Sequence, residues 1–243
     1  MKSKNQHWPI LKKMFFGFLA VLALVALLIA FELFKLYRQV NGYKYYWHSR
    51  VNEEVLPDSI YYVALGDSTS QGIGASSPEK GYVGLIADSI HARSGKPVHV
   101  INLGVTGAGV NDALEKQIPQ LKQLNLPADA IITVEIGAND LGDLNEAKFR
   151  QDMDRFMSEL PSQTVISDMP YFGEGRYRKL ETNAQAASKI IHELAKTKNL
   201  KVAPLHDVTS NNSSIFNVTI DLFHPSNRGY RNWHEAFART LNL

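Results

Sequence analysis

Tyr61-Tyr62-Val63-Ala64-Leu65-Gly66-Asp67-Ser68 is an apolar run that ends on a hydroxyl. Its length and near-continuous apolarity read as a β-strand buried on both faces, the kind found in parallel sheets. Ser68 then stands at the carboxyl tip of the first strand, where an open α/β sheet presents its ligand-binding edge. A serine hydroxyl is a weak nucleophile until a base takes its proton and donors stabilise the oxyanion it creates. The base and further donors must come from elsewhere in the chain.

Outward from that strand, further apolar runs lie at 98–103, 130–136 and 163–167, with a weaker one at 200–205. Helix-like stretches separate them near 80–94, 109–124, 145–159 and 178–198, and a last one covers 226–241. Short apolar strands alternating with helices predict a doubly wound α/β sandwich with a central parallel sheet. One domain over residues 59–243 accounts for them all. The polar stretch from Thr209 to Ser214 reads as a surface loop.

Composition sets limits on function. The 243 residues are 44% apolar and 21% charged, an ordinary globular balance. The net charge of +2 is unevenly spread. Residues 1–58 carry eight Lys/Arg against four Asp/Glu, and residues 59–243 carry 18 against 20. The folded part is slightly acidic and has no basic stripe, which argues against a nucleic-acid partner. With no cysteine, disulfides, thiolate nucleophiles and Cys-ligated zinc are excluded.

The amino-terminal region reads as a membrane segment. Met14 to Phe31 is uncharged and follows Lys2, Lys4, Lys12 and Lys13. As a helix this run is about 27 Å long, close to the ~30 Å hydrocarbon core of a bilayer. Leu28-Ile29-Ala30 is a poor small-x-small exit, and the apolar character continues through Leu33-Phe34. The expected layout is a basic tail at 1–13, a transmembrane signal anchor at 14–34, a juxtamembrane stalk at 35–58 and a catalytic domain at 59–243. That layout puts the domain outside the cytoplasm, with cleavage and secretion as the alternative.

Four blocks fall at the carboxyl ends of predicted strands or just before the last helix. They are Gly66-Asp67-Ser68-Thr69-Ser70, Asn102-Leu103-Gly104, Gly137-Ala138-Asn139-Asp140 and Asp221-Leu222-Phe223-His224-Pro225. In this order they resemble the SGNH (GDSL-type) hydrolase family over about residues 60–240. The resemblance implies a flavodoxin-like, three-layer α/β/α sandwich and a serine esterase or lipase-like activity without metal or organic cofactor.

The chemistry these residue types can perform agrees with that resemblance. Ser68 is the candidate nucleophile, His224 the base and Asp221 the residue that orients the imidazole. The Ser68 N–H, the Gly104 N–H and the Asn139 side-chain amide are the candidate oxyanion donors, and the family assigns the same roles. No Gly-x-Ser-x-Gly surrounds Ser68, so the nucleophile elbow of α/β-hydrolases is not the template. Asp67 reads as a turn former and Asp140 as a cap for the turn before Leu141.

His91, His99, His192, His206 and His234 lack metal-ligand spacing and read as surface or packing residues. The segment Pro170 to Arg178 reads either as a substrate-facing flap or as an ordinary loop. The expected substrate is a small-molecule, lipid or acetylated-glycan ester. Acyl transfer to a sugar or other alcohol, and a catalytically silent glycan- or lipid-binding module, are the competing functions.

Overall fold

A computed structural model describes residues 8–51 and 53–243; residues 1–7 of the expected basic tail lie outside them. Two compact units meet in sequence between Arg38 and Gln39. The first holds most of a 44-residue helix, α1 (Trp8–Val51). It includes an apolar window long enough to cross a membrane, of which nothing is buried. By length and composition this helix suits a membrane anchor or a signal sequence.

The second unit, Gln39 to Leu243, is an α/β sandwich. Its strands are β1 (Ile60–Gly66), β2 (Val98–Asn102), β3 (Ile131–Glu135), β4 (Val165–Ser167) and β5 (Lys201–Ala203). All pairings are parallel and the order is β2-β1-β3-β4-β5. This order reverses direction between β1 and β3, and the crevice at such a switch point is where open α/β sheets bind ligands.

The helices match the apolar periodicity closely. They are α2 (Tyr82–Ser94), α3 (Val110–Asp112), a π-helical turn at Ala113–Gln117, α4 (Ile118–Gln123), α5 (Glu146–Ser158), α6 (Glu181–Lys198), α7 (Leu205–Asn211) and α8 (Asn227–Leu241). One face of the sheet packs Val63, Leu65, Ile132 and Val134 under the 110–123 stretch, α5 and α6. The other packs Tyr62, Ala64 and Val165 under α2, α7 and α8. Both faces of β1 are thus apolar and buried, which is why its sequence does not alternate. Tyr82 of α2 stacks on Phe237 of α8 with centroids 5.2 Å apart, a pairing worth about 1 kcal/mol beyond its area.

Two local expectations are corrected. Thr209 to Asn211 end α7 rather than lying in a surface loop, because the Thr209 hydroxyl bonds back to the Leu205 carbonyl at 2.7 Å and the side chain is buried. Residues 35–51 are helical, and from Gln39 onward they belong to the same compact unit as the sheet. Trp47 is only 3% exposed and packs in the core on the α2 and α8 side. Its indole N–H donates to the Gln71 carbonyl at 2.9 Å.

Candidate active site

The loop after β1 carries Ser68 and is gripped from several directions. Gly66 exchanges two bonds with the Gln117 side chain, which donates to its carbonyl at 2.8 Å and accepts from its N–H at 2.9 Å. A β-carbon at Gly66 would sit 2.3 Å from the Glu135 carbonyl, so only glycine lets β1 approach β3 there. The Ser68 carbonyl accepts the Ile73 N–H at 3.0 Å, and the Tyr230 hydroxyl donates to the Ile73 carbonyl.

Gln39 of α1 accepts from Gly74 N–H and donates to the Ala75 carbonyl, which also accepts from the Tyr43 hydroxyl. The end of α1 is therefore a wall of the loop that bears Ser68.

Ser68, His224 and Asp221 form one continuous chain. The Ser68 hydroxyl oxygen lies 3.0 Å from His224 Nε2, and His224 Nδ1 lies 2.6 Å from Asp221 Oδ2. The other carboxylate oxygen, Oδ1, accepts the Phe223 N–H, the His224 N–H and the Thr219 hydroxyl. Burial by itself would raise the Asp221 carboxyl. The bonds from His224, from the Phe223 amide and from Thr219 outweigh it and hold the carboxyl well below its usual range. Leu222, with φ of 60°, takes the left-handed conformation that folds this turn back on its own carboxylate.

The three candidate oxyanion donors are in different states. Among the described residues the Ser68 amide donates to no protein acceptor. The Gly104 N–H donates to Asn102 Oδ1 at 3.0 Å. Both hydrogens of the Asn139 amide are engaged, one on Asp67 Oδ2 at 2.9 Å and the other on the Ala108 carbonyl at 3.0 Å. Gly104 is also bound to the serine loop through Gln71, whose amide donates to its carbonyl. A β-carbon on Gly104 would meet the Ser70 hydroxyl at 1.8 Å, so glycine is required by the packing of that loop.

Asp67 does form the expected turn, accepting from the Thr69 N–H and hydroxyl, and it holds Asn139 as well. Asp140 differs from expectation. It accepts the Val110 N–H at the start of α3 rather than capping its own turn.

Sequence reading missed Glu135, Thr69, Gln71 and Gln117, all buried around this loop. The available signal for Glu135 was a lone carboxylate closing the otherwise uncharged strand Ile131–Glu135. His192 and His206 pair with Asp168 and Glu181, and Glu181 also accepts the Phe172 N–H. The Glu181 bond to Phe172 and the bond from the Tyr171 N–H to the Thr209 hydroxyl hold the start of the 170–178 segment. Among the described residues no group of three or more His, Asp or Glu side chains is placed to hold a metal ion.

A cavity of about 920 Å³, counting its open mouth, lies beside the chain from Ser68 to Asp221. Thr69, next to the serine, and Leu222 and Phe223, next to the histidine, form part of its wall. Phe172, Tyr177, Ile215 and Trp233 supply further apolar surface.

Residues 64–231 match the GDSL-like Lipase/Acylhydrolase family. The chain belongs to that family and is an ester hydrolase. It is 26% identical over 211 residues to the uncharacterized protein YpmR of Bacillus subtilis, covering 74% of this chain and 81% of that one. Its fold is shared with a lipolytic protein of the G-D-S-L family from Veillonella parvula, with a TM-score of 0.64 at 16% identity over 76% of this chain and 99% of that one. It is also shared with a lipase/acylhydrolase from Enterococcus faecalis, with a TM-score of 0.59 at 23% identity over 74% and 94% of the two chains.

Proposed function

We propose that this hydrolase cleaves carboxylic esters through an acyl-enzyme on Ser68. The observation that carries the reading is the unbroken hydrogen-bond chain from the Ser68 hydroxyl through His224 to Asp221. His224 Nε2 takes the serine proton as Ser68 Oγ attacks the ester carbonyl, and returns it to the departing alcohol. Nδ1–H stays on the Asp221 carboxylate, which stabilises the imidazolium. Water then attacks the acyl carbonyl by the same route and regenerates the serine.

The oxyanion first meets the Ser68 amide, which has no competing acceptor. Asn139 and Gly104 contribute by sharing hydrogens now held by Asp67, Ala108 and Asn102. An oxyanion is a stronger acceptor than an amide carbonyl oxygen, so such sharing is favourable for the Ala108 and Asn102 bonds.

The apolar cavity supports an ester with a hydrocarbon arm as substrate, and it lodges that arm beside His224. Residues 14–34 act as a membrane anchor with the hydrolase domain outside the cytoplasm. Resistance of the full chain to carbonate extraction, together with protease access to the domain in intact cells, tests that placement.

The decisive experiment for the chemistry is fluorophosphonate labelling of the full chain at neutral pH, followed by peptide mapping. An adduct on Ser68 that is lost in Ser68→Ala is the expected result. Absence of any Ser68 adduct overturns the reading.

A further inference from the structure

Behind Ser68 lies a second line of acidic groups that the acyl-enzyme chemistry does not use. Asp67 and Glu135 are both fully or almost fully buried, and the Thr69 hydroxyl stands between them, bonded to Asp67 Oδ1 and to Glu135 Oε2. A hydroxyl has one hydrogen, so it can donate to only one of two carboxyls. The other contact forms only if that carboxyl carries a proton of its own.

Asp67 receives three donors, from the Thr69 N–H, the Thr69 hydroxyl and the Asn139 amide, and so has the support that an ionised group needs. Glu135 has Thr69 alone, and its Oε1 has no partner among the described residues. A buried oxygen left without a donor is costly, and more so when it carries charge. The proton therefore sits on Glu135. Burial raises both carboxyls: Asp67 is raised in spite of its Thr69 bonds, and Glu135, with the Asp67 charge beside it and Thr69 alone to oppose burial, is raised well above its ordinary range.

The direction of every bond in the line follows. The Glu135 acid hydroxyl donates to Thr69 Oγ1, the Thr69 hydroxyl donates to Asp67 Oδ1, and Asp67 Oδ2 accepts from Asn139. The chain crosses from the end of β3 to the loop after β1 and returns to the turn after β3. It thus spans the switch point of the sheet and ends on the amide proposed to meet the oxyanion.

We propose that Glu135 is a positioning residue of this hydrolase, acting through Thr69 and Asp67 to fix the plane and placement of the Asn139 amide. The proposal rests on the acyl-enzyme reading above. Glu135 borders the apolar cavity but is fully buried, and the proposal gives it no chemical step of its own. Without the Glu135 hydrogen the Thr69 hydroxyl is held by Asp67 alone, so Thr69 and the Asp67 carboxylate it steadies are placed less tightly, and with them the amide bonded to Oδ2.

The test uses the full chain and a p-nitrophenyl ester that the wild type turns over. Glu135→Leu and Thr69→Val lower kcat about tenfold with KM unchanged, less than the hundredfold or more of a lost oxyanion donor. Glu135→Gln and Thr69→Ser stay within about twofold of wild type, since a glutamine amide still donates to Oγ1 and serine keeps the hydroxyl. In an Asn139→Ala background, Glu135→Leu has no further effect on kcat, whereas an unrelated structural loss multiplies with it.

Three outcomes overturn the inference while leaving the hydrolase reading intact: a Glu135→Leu kcat equal to wild type, a Glu135→Gln loss as large as that of Glu135→Leu, or a full additional loss in the Asn139→Ala background. Where Glu135→Leu does not fold, Thr69→Val against Thr69→Ser gives the same comparison. A wild type that leaves Ser68 unlabelled overturns the reading and the inference together.

Discussion

The Asn139 amide donates to Asp67 Oδ2 at 2.9 Å, so the residue proposed to meet the oxyanion is held by the residue just before the nucleophile. This bond joins the turn after β3 to the loop after β1. Asn139→Ala removes the donor and leaves Asp67 Oδ2 without it. Turnover falls roughly a hundredfold or more with little change in KM, as measured by steady-state hydrolysis. Asp67→Asn, which replaces an acceptor-only group by an amide, is expected to slow fluorophosphonate labelling of Ser68 in parallel.

Asp221→Asn keeps the shape of the His224 turn but changes what the imidazole meets at Nδ1. Turnover is expected to fall roughly a thousandfold or more. The same substitution tests a stability linkage. The folded Asp221 carboxyl is held below its unfolded value of about 4, so its contribution is present above that value. It is lost as pH falls through the folded value. Urea unfolding between pH 6 and pH 3 should show a steeper acid decline for wild type than for the variant.

Glu135 gives a linkage of opposite sign. Its folded carboxyl is raised, so the folded state keeps a proton that the unfolded chain releases above about pH 4.5. The stability it contributes is complete below that pH and is lost as pH rises toward the raised value. Glu135→Gln cannot titrate. Its stability relative to wild type is expected to improve steadily from pH 5 to pH 8 in urea titrations.

Trp47 and Gln39 of α1 bond to the loop 71–75 that follows the nucleophile. Trp47→Phe leaves the buried Gln71 carbonyl unpaired, at a cost of about 1–3 kcal/mol. The expected result is a lower unfolding midpoint together with reduced turnover. A Tyr37→Phe control, on an exposed part of the same helix, should change neither.

Ile215 is 72% exposed at the wall of the apolar cavity. Ile215→Glu should leave folding unchanged and acetyl ester hydrolysis within about twofold. Hydrolysis of octanoyl and longer esters should fall more steeply, because a charge then borders the path of the hydrocarbon arm. A p-nitrophenyl series from acetyl to palmitoyl reads the difference.

The sandwich itself was legible because β1 is apolar on both faces, β3 is apolar apart from Thr133 and Glu135, and the intervening helices carry apolar stripes. Ser68 and Asn139 stood out because they closely follow β1 and β3, and the Asp221/His224 pair because it stands just before the last helix. The end of α1 was not legible as part of the domain. Gln39, Tyr43 and Trp47 bond to main-chain carbonyls more than twenty residues away, and a backbone carbonyl leaves no mark in a sequence. The helical turn at 205–211 was hidden by its polar Thr-Ser-Asn ending, whose hydroxyls bond back to the helix.

The sequence by itself determined that Ser68 and Asn139 follow strands of a parallel sheet and that Asp221 and His224 precede its last helix, since element ends and order are local properties of apolar patterning. Only the tertiary structure decided where the hydrogens go. Glu135 stands in the sequence as a lone carboxylate inside the apolar run 130–136. Packing β3 against β1 buries it beside Asp67, with a single hydroxyl between two acids, and that shortage of hydrogens assigns its proton and its place behind Asn139.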